Sequence, residues 1–169
     1  MPVLHYENIL PEIKEPCFIA ENAYIIGDVK IGTYCSILYG AVIRGDVNYI
    51  KIGNNCNIQD GAILHVTHKT FPLVVGDNVS IGHGAKIHGC EIGNNVLIGI
   101  GAIILDGAKI PDNCMVAAGS VVREGYIALH NSLIAGVPAV FKRDLTENDM
   151  WRIRYSAESY VNELGERVK

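Results

Sequence analysis

The sequence predicts an all-β protein, a parallel β-helix of hexapeptide repeats followed by one C-terminal α-helix. Three observations predict it: an aliphatic residue recurs every sixth position, a short residue usually lies four places after it, and the pattern stops after Pro138. The recurring aliphatic residues fall in four runs, Ile25, Ile31, Ile37 and Ile43; Ile52, Ile58 and Leu64; Val75, Ile81 and Ile87; and Ile92, Ile98, Ile104, Ile110, Val116 and Val122.

Each six-residue unit supplies one short strand and one corner. The aliphatic side chain points into a narrow prism, where only a short partner fits beside it. The corners need positive φ angles, which glycine and asparagine tolerate best. The pairs Asn54-Asn55, Asp77-Asn78 and Asn94-Asn95 fall where corners are expected. Three units make one triangular rung, and a rung buries its aliphatic residues only against its neighbours, so several rungs are required.

The five cysteines are interpreted as structural. Cys35, Cys56 and Cys114 occupy the short interior position of the repeat, as small buried apolar residues do. Cys90 lies close to candidate metal ligands in sequence but has the same interpretation, and the repeat does not place Cys17. An odd number of scattered cysteines favours a reducing cytoplasm over a disulfide framework.

The chain is divided into a β-helix domain of residues 1–143 and a C-terminal helix within residues 144–169. The helix is expected over residues 144–168, with Thr146 as its N-cap and Asp149 as the capping-box partner. Its apolar face combines Met150, Ile153, Ala157, Val161 and Leu164. The helix is expected to pack along the prism or on a neighbouring subunit.

Composition and charge exclude several classes of partner. The net charge is −4 without a basic run, so nothing indicates nucleic-acid binding. The N-terminus lacks the basic start and apolar segment of a signal peptide. The longest apolar stretch, residues 96–105, is too short to span a bilayer. We therefore expect a cytoplasmic protein without membrane contact.

Two histidines are paired by counting repeats. The step from Leu64 to Val75 is eleven residues instead of six, because residues 66–72 form an excursion at a corner. When the excursion is counted as one long unit, Leu64 and Ile87 lie one rung apart. His65 and His88, which follow them directly, are then expected to stack on one face and to point outward. Their separation, near one strand spacing, suits two imidazoles that share one ion.

A third histidine, His83, belongs to the preceding unit and lies on another face or near a corner. It cannot easily reach the same ion within one chain, but in a threefold trimer it could reach the ion of a neighbouring subunit. Three histidines with water in the remaining position are typical of a catalytic metal site. Considered without the other two histidines, His83 is interpreted as an ordinary surface residue.

At this point the chain resembles the gamma-class carbonic anhydrases over almost its whole length. The segments that carry the resemblance are Arg44-Gly45-Asp46, Asn-Ile-Gln-Asp-Gly-Ala-Ile-Leu-His at 57–65, Ile-Gly-His-Gly-Ala-Lys-Ile-His-Gly at 81–89, Ile-Ala-Gly-Val-Pro-Ala at 134–139 and Ser-Ala-Glu-Ser-Tyr at 156–160. Hexapeptide repeats alone are shared with acyltransferases. The resemblance implies a left-handed coil and a homotrimer with metal sites between its subunits.

The resemblance also assigns roles to the motif residues. It implies that His65, His83 and His88 bind Zn²⁺, which Fe²⁺ or Co²⁺ can replace. Gln59 is implied to hydrogen-bond the metal-bound hydroxide, with Asn57 supporting it. The remaining assignments are a charged cluster of Arg44, Asp46 and Asp60 at the subunit contact, and Tyr160 at the border of the pocket. Simpler roles stay open: Asn57 as a corner residue, Arg44 with Asp46 as a surface pair, and Tyr160 in helix packing.

The implied reaction is the reversible hydration of CO₂ to bicarbonate. Zinc lowers the pKa of its bound water toward 7 and so supplies hydroxide at neutral pH. Members of the family carry glutamates that export the proton, but here Val47 follows Asp46, and His68 stands where the second glutamate is expected. His68 is a candidate proton shuttle, because histidine side chains exchange protons near neutral pH, or else a solvated loop residue. Without the glutamates we expect slow turnover.

Two other functions stay open. The same repeat occurs in acyltransferases and acyl-CoA thioesterases, although nothing in the sequence marks a CoA site and three metal-type histidines argue against a single catalytic base. The missing glutamates are also compatible with a non-catalytic metal-binding homologue. The fold cannot choose among these functions.

Overall fold

The computed structural model describes residues 3–167, and the side chains of 3–164 within them. These residues form short strands and one helix, α1, at Glu147–Arg167. The strands are β1 Val3–Leu4, β2 Glu12–Ile13, β3 Cys17–Ile19, β4 Tyr24–Ile31, β5 Cys35–Ile37, β6 Val42–Ile52, β7 Asn57–Ile58, β8 Ile63–His65, β9 Leu73–Val75, β10 Ser80–Ile81, β11 Lys86–His88, β12 Glu91–Ile92, β13 Leu97–Ile98, β14 Ile103–Ile104, β15 Lys109–Ile110, β16 Met115–Val116, β17 Val121–Val122, β18 Ser132–Gly136 and β19 Ala139–Asp144.

The strands wind into a parallel β-solenoid of about seven turns. Three columns of paired strands make its faces. The helix face contains β3, β5, β7, β10, β13, β16 and β18; the histidine face contains β8, β11, β14 and β17; and the third face contains β9, β12 and β15. The long strands β4 and β6 turn the corner between the second and third columns, so that β6 pairs with both β8 and β9. The predicted β-helix of hexapeptide repeats is confirmed.

The interior is the column of aliphatic residues that the repeat predicts. Each residue of the four runs is buried, with 4% exposure or less. Burial of one isoleucine contributes roughly 1.5–3 kcal/mol, and each rung adds three such residues. The five cysteines are buried and unpaired. Cys17, which the repeat did not place, pairs in register with Cys35, and burial raises the pKa of the Cys90 thiol well above its usual range, as expected of a structural cysteine.

The predicted asparagine corners divide two tasks between their residues. The second residue of each pair takes the positive φ, 55° at Asn55 and 54° at Asn95. The first residue accepts a backbone N–H from the preceding rung, as Asp77 Oδ1 does from Asn54 N at 2.7 Å. The corner therefore links successive rungs through side chains as well as setting the bend.

The C-terminal helix begins later than predicted. Asp144 pairs with Ser132 in the antiparallel β18–β19 ladder, which holds it in extended backbone. The capping box is confirmed: Thr146 Oγ1 accepts from Asp149 N at 3.2 Å, and Asp149 Oδ2 accepts from Thr146 N at 2.9 Å. The predicted end at residue 168 lies outside the described residues. The division into two domains stays a prediction.

The helix packs on the helix face of its own prism, against β3, β5 and β10. Ile153, Ala157 and Leu164 of its predicted apolar face are buried. Ser156 Oγ donates to Ser80 Oγ at 2.9 Å and joins the helix to the strand beneath it. Between residues 3 and 167, no helix is both long enough and apolar enough to cross a bilayer.

Candidate metal centre

His65 and His88 lie side by side on the histidine face. The parallel register of β8 and β11 places His88 directly opposite His65. The imidazoles approach through His65 Nδ1 and His88 Nε2, which are 3.0 Å apart. The two side chains are 20% and 37% exposed, so the pair faces outward. The stacking that follows from counting repeats is confirmed.

Asp46 holds the His65 ring from the opposite side. Its Oδ1 lies 2.9 Å from His65 Nε2, and its Oδ2 accepts a hydrogen bond from Arg44 Nη1. Burial raises the pKa of the Asp46 carboxyl, but the hydrogen bonds from His65 and Arg44 outweigh this, and the net shift is downward. Asp46 is therefore an ionised acceptor that fixes the ring orientation and directs Nδ1 toward His88.

Asp106 does the same for His88, and sequence reasoning missed it. Its Oδ1 lies 2.6 Å from His88 Nδ1, and its Oδ2 accepts from Thr67 Oγ1 at 2.6 Å. Burial raises the pKa of the Asp106 carboxyl, but the hydrogen bonds from Thr67 and His88 give a net lowering. The signal was available: Ile87 pairs with Ile104, so one more rung from His88 reaches Leu105, and Asp106 follows at the corner.

The two rings fit a divalent metal ion. If each ring donates its outer N–H to its aspartate, the facing nitrogens both present lone pairs, which repel at 3.0 Å unless a cation lies between them. A carboxylate on the far nitrogen is typical of metal-binding histidines. Within residues 3–167 of one chain, no three histidine, cysteine or acidic side chains group closely enough to hold an ion. One chain therefore brings two imidazole nitrogens to one point.

His83 stands apart from this pair, on the turn after β10. Its Nδ1 lies 2.9 Å from Asp60 Oδ2, and its side chain is 46% exposed. Asp60 follows β7 on the adjacent rung, and its carbonyl oxygen accepts from Gly84 N at 2.9 Å. Within one chain Asp60 thus pairs with His83 and has no contact with Arg44 or Asp46. The cluster of all three charges at a subunit contact stays a prediction.

Gln59 and Asn57 belong to the same part of the molecule as His83. Gln59 Nε2 donates to Asn57 Oδ1 at 2.9 Å, and Asn57 Nδ2 donates to Ser80 Oγ at 2.8 Å. Asn57 is a fully buried residue of β7 beneath the helix, so its interpretation as a corner residue is wrong. We call Gln59, Asp60 and His83 the glutamine half-site, and His65, His88, Asp46 and Asp106 the histidine half-site.

The two remaining candidates lie at the periphery. Tyr160 is a half-buried residue of α1, one turn beyond Ser156. His68 is exposed on the excursion, and its carbonyl oxygen accepts from Thr70 Oγ1 at 2.9 Å. The roles of both side chains stay predictions.

Comparison with known proteins identifies the family. The bacterial transferase hexapeptide (six repeats) model matches residues 11–45 and 89–124. A probable carbonic anhydrase of Methanocaldococcus jannaschii is 52% identical over 143 residues, 85% of this chain and 89% of that protein. Gamma carbonic anhydrase 2, mitochondrial, of Arabidopsis thaliana is 42% identical over 157 residues, 90% of this chain. This chain spans only 56% of that relative's length.

A solved structure shows the same fold. A hexapeptide transferase family protein from Anaplasma phagocytophilum superposes with a TM-score of 0.94 at 40% identity, covering 99% of this chain and 98% of that one. Three observations indicate the same family: the hexapeptide repeat, the paired histidines, and the relative that is 52% identical. The chain belongs to the gamma carbonic anhydrase family of hexapeptide-repeat proteins.

Proposed function

We propose that this protein is a metal-dependent gamma-class carbonic anhydrase that hydrates CO₂ to bicarbonate reversibly. The observation that carries the proposal is the His65–His88 pair, with two nitrogens 3.0 Å apart and a carboxylate behind each ring. Imidazole ligands suit zinc, iron and cobalt, and Zn²⁺ is our first choice. A bound zinc ion supplies a hydroxide nucleophile at neutral pH by lowering the pKa of its water toward 7.

The third ligand is proposed to be His83 of a neighbouring subunit in a homotrimer. Its Nδ1 faces Asp60, which leaves Nε2 on the outward side of a half-exposed ring. Apolar side chains near the histidines support a subunit contact, because exposed hydrophobic patches mark interaction sites. Ile63, two residues before His65 in β8, is 43% exposed, and Tyr24, in the same outward column of the histidine face, is 45% exposed.

Gln59 is proposed to orient the attacking oxygen. Asn57 Nδ2 donates to Ser80, so Asn57 Oδ1 is the acceptor for Gln59 Nε2. This fixes the Gln59 amide and directs its Oε1, an acceptor, away from the network. The backbone of Gln59 is held as well, since its N–H donates to the Ile81 carbonyl oxygen at 2.9 Å. Hydrogen bonds thus hold both the backbone and the side-chain amide of Gln59. A preorganised amide can orient an O–H group without moving during the reaction.

Proton export is proposed to depend on His68, which stands where a glutamate is expected. We expect slow turnover because the proton-exporting glutamates are absent. His68 is exposed on the excursion that follows His65, and an imidazole side chain can take up and release a proton. Replacement of His68 by alanine should lower turnover in dilute buffer and leave it unchanged in concentrated imidazole buffer, which carries the proton itself. An equal loss in both buffers would contradict this role.

Acyl transfer is the competing function, because the fold is shared with transferases. A hexapeptide acyltransferase needs one histidine as a base, whereas here two imidazoles face each other and each is held by a carboxylate. Saturable turnover of acyl-CoA thioesters by metal-free protein would favour this alternative.

The direct test of the proposed function is CO₂ hydration by protein loaded with zinc or iron, measured by stopped flow beside elemental analysis and oligomeric mass. We expect about one metal per subunit in a trimer, and a rate that His65→Ala abolishes. A rate equal to that of His65→Ala would refute carbonic anhydrase activity. A metal-loaded trimer without activity would indicate a non-catalytic metal-binding homologue.

A further inference from the structure

The excursion, residues 66–72, is a closed loop beside the histidine half-site. Thr67 and Phe71 form an antiparallel bridge in which Thr67 N donates to the Phe71 carbonyl oxygen at 3.0 Å. Lys69 at its tip has a φ of 59°. The loop follows His65 directly, and a closed loop of this length can present side chains at fixed positions.

The excursion contacts the segments that carry both aspartates. Thr67 Oγ1 donates to Asp106 Oδ2 at 2.6 Å. The carbonyl oxygen of Thr67 accepts from Asn48 Nδ2 at 3.0 Å, and Lys69 N donates to the Val47 carbonyl oxygen at 3.4 Å. Val47 and Asn48 directly follow Asp46. One loop thus connects the carboxylate behind His65 with the carboxylate behind His88.

Phe71 fixes the loop against the next two rungs. A Cβ atom at Gly89 would lie 2.8 Å from Phe71 Cβ, and one at Gly107 would lie 3.0 Å from the ring. Gly89 follows His88, and Gly107 follows Asp106. The absence of side chains at both glycines lets the Phe71 Cβ and carbonyl oxygen lie against Gly89 and its aromatic ring lie against Gly107.

We propose that the excursion is a positioning element that sets both imidazoles for the metal, and that Thr67 is its positioning residue. The inference rests on the proposed metal site. Without the Thr67 hydroxyl, Oδ2 of Asp106 loses its protein donor, and the carboxylate is free to rotate away from His88. The His88 ring then loses its fixed orientation, and its Nε2 no longer points steadily at His65 Nδ1.

The test compares three variants of the full-length protein. Thr67→Val removes the hydroxyl at nearly constant volume and Thr67→Ser keeps it. Thr70→Val removes a hydroxyl from the same loop that donates to the His68 carbonyl oxygen within that loop. Zinc affinity is measured by competition with a chromogenic chelator. Removal of groups that orient metal ligands costs 10–100-fold in affinity, and we expect about tenfold for Thr67→Val. Thr67→Ser and Thr70→Val should match the wild type.

Two further readouts separate positioning from stability and from catalysis. The absorption bands of the Co²⁺-loaded protein should change in Thr67→Val, because the ligand geometry is altered, while its thermal unfolding without metal stays near that of Thr70→Val. The crystal structure of metal-free Thr67→Val should show Asp106 turned away from His88. An unchanged Asp106 with wild-type zinc affinity would overturn the inference. Zinc binding without CO₂ hydration would instead refute the proposed function and leave the positioning role intact.

Discussion

The division of the proposed site between subunits can be tested by complementation. The change is His65→Ala in one set of chains and His83→Ala in another. Each residue is partly exposed, with 20% and 46% of its side chain accessible, so truncation leaves the core unchanged. Homotrimers of either variant should lack complete sites, because each interface then lacks one of its three ligands.

Mixed trimers should regain a fixed fraction of sites. In a cyclic trimer every interface joins the histidine half-site of one chain to the glutamine half-site of the next, a heterologous contact. In any trimer that contains both variants, one interface combines two intact half-sites. There the His83→Ala chain supplies His65, and the His65→Ala chain supplies His83. The other two interfaces are defective, so about one third of the sites are restored whatever the ratio of chains, as closed threefold symmetry requires.

The assay isolates mixed trimers by two different affinity tags and measures metal content and CO₂ hydration per trimer. The matched control mixes His65→Ala with His88→Ala. Both residues belong to one half-site, so no interface is restored and the expected recovery is nil. Recovery in the control mixture, or none in the test mixture, would refute the division into half-sites.

Three further predictions concern the histidine half-site and the helix start. Gly89→Ala should weaken zinc affinity, because its φ is 45° and an added Cβ would overlap Asp106 Oδ1; a chelator titration measures this, and wild-type affinity would contradict it. Hydrogen bonds from Arg143 and from the N–H and hydroxyl of Thr146 hold the pKa of Asp149 below its usual range. Since the folded-state pKa is below the unfolded value of about 3.9, the stabilisation is complete above that value and is lost as the pH falls through the folded pKa. Denaturant unfolding from pH 6 downward should show this loss, and Asp149→Asn should abolish that part of the pH dependence. Removal of metal by a chelator should lower the free energy of unfolding by RT ln(1 + [metal]/Kd), and with it the melting temperature; an unchanged melting temperature with saturating metal would show that metal does not bind the folded protein preferentially.

The sequence predicts the pairing of His65 with His88, because the six-residue repeat determines which residues lie on neighbouring rungs. His65 and His88 both follow an interior aliphatic residue, and the register between Leu64 and Ile87 is one rung. The interior is continuous, so an error of one residue would have moved a polar side chain into the core. Counting therefore fixes which side chains lie on one column, even across the eleven-residue step from Leu64 to Val75 that contains the excursion.

The part that sequence could not predict depends on contacts between columns. Asn57 lies in a strand position that counting treats as outward, yet it is buried and contacts the Ser156 carbonyl oxygen of α1 at 3.5 Å. Thr67 lies inside the excursion, where no period applies, so its bond to Asp106 had no signal. Asp144 was assigned to the helix because the antiparallel β18–β19 ladder does not follow the parallel repeat.

The geometry of a prism explains why such a site needs more than one chain. Outward side chains on one face stack in a column, with adjacent rungs about 4.8 Å apart. Two adjacent rungs can therefore direct two imidazoles at one point, as His65 and His88 do. A convex surface diverges beyond that column, and His83, on the turn after β10, pairs with Asp60 instead of with the two imidazoles. Three ligands around one ion must approach from different directions. In the proposed trimer, a second prism with its glutamine half-site against the histidine face would supply the missing direction. The proposed positioning role of the excursion fits this arrangement, because the two ligands from one chain would have to be held in place before the third arrives.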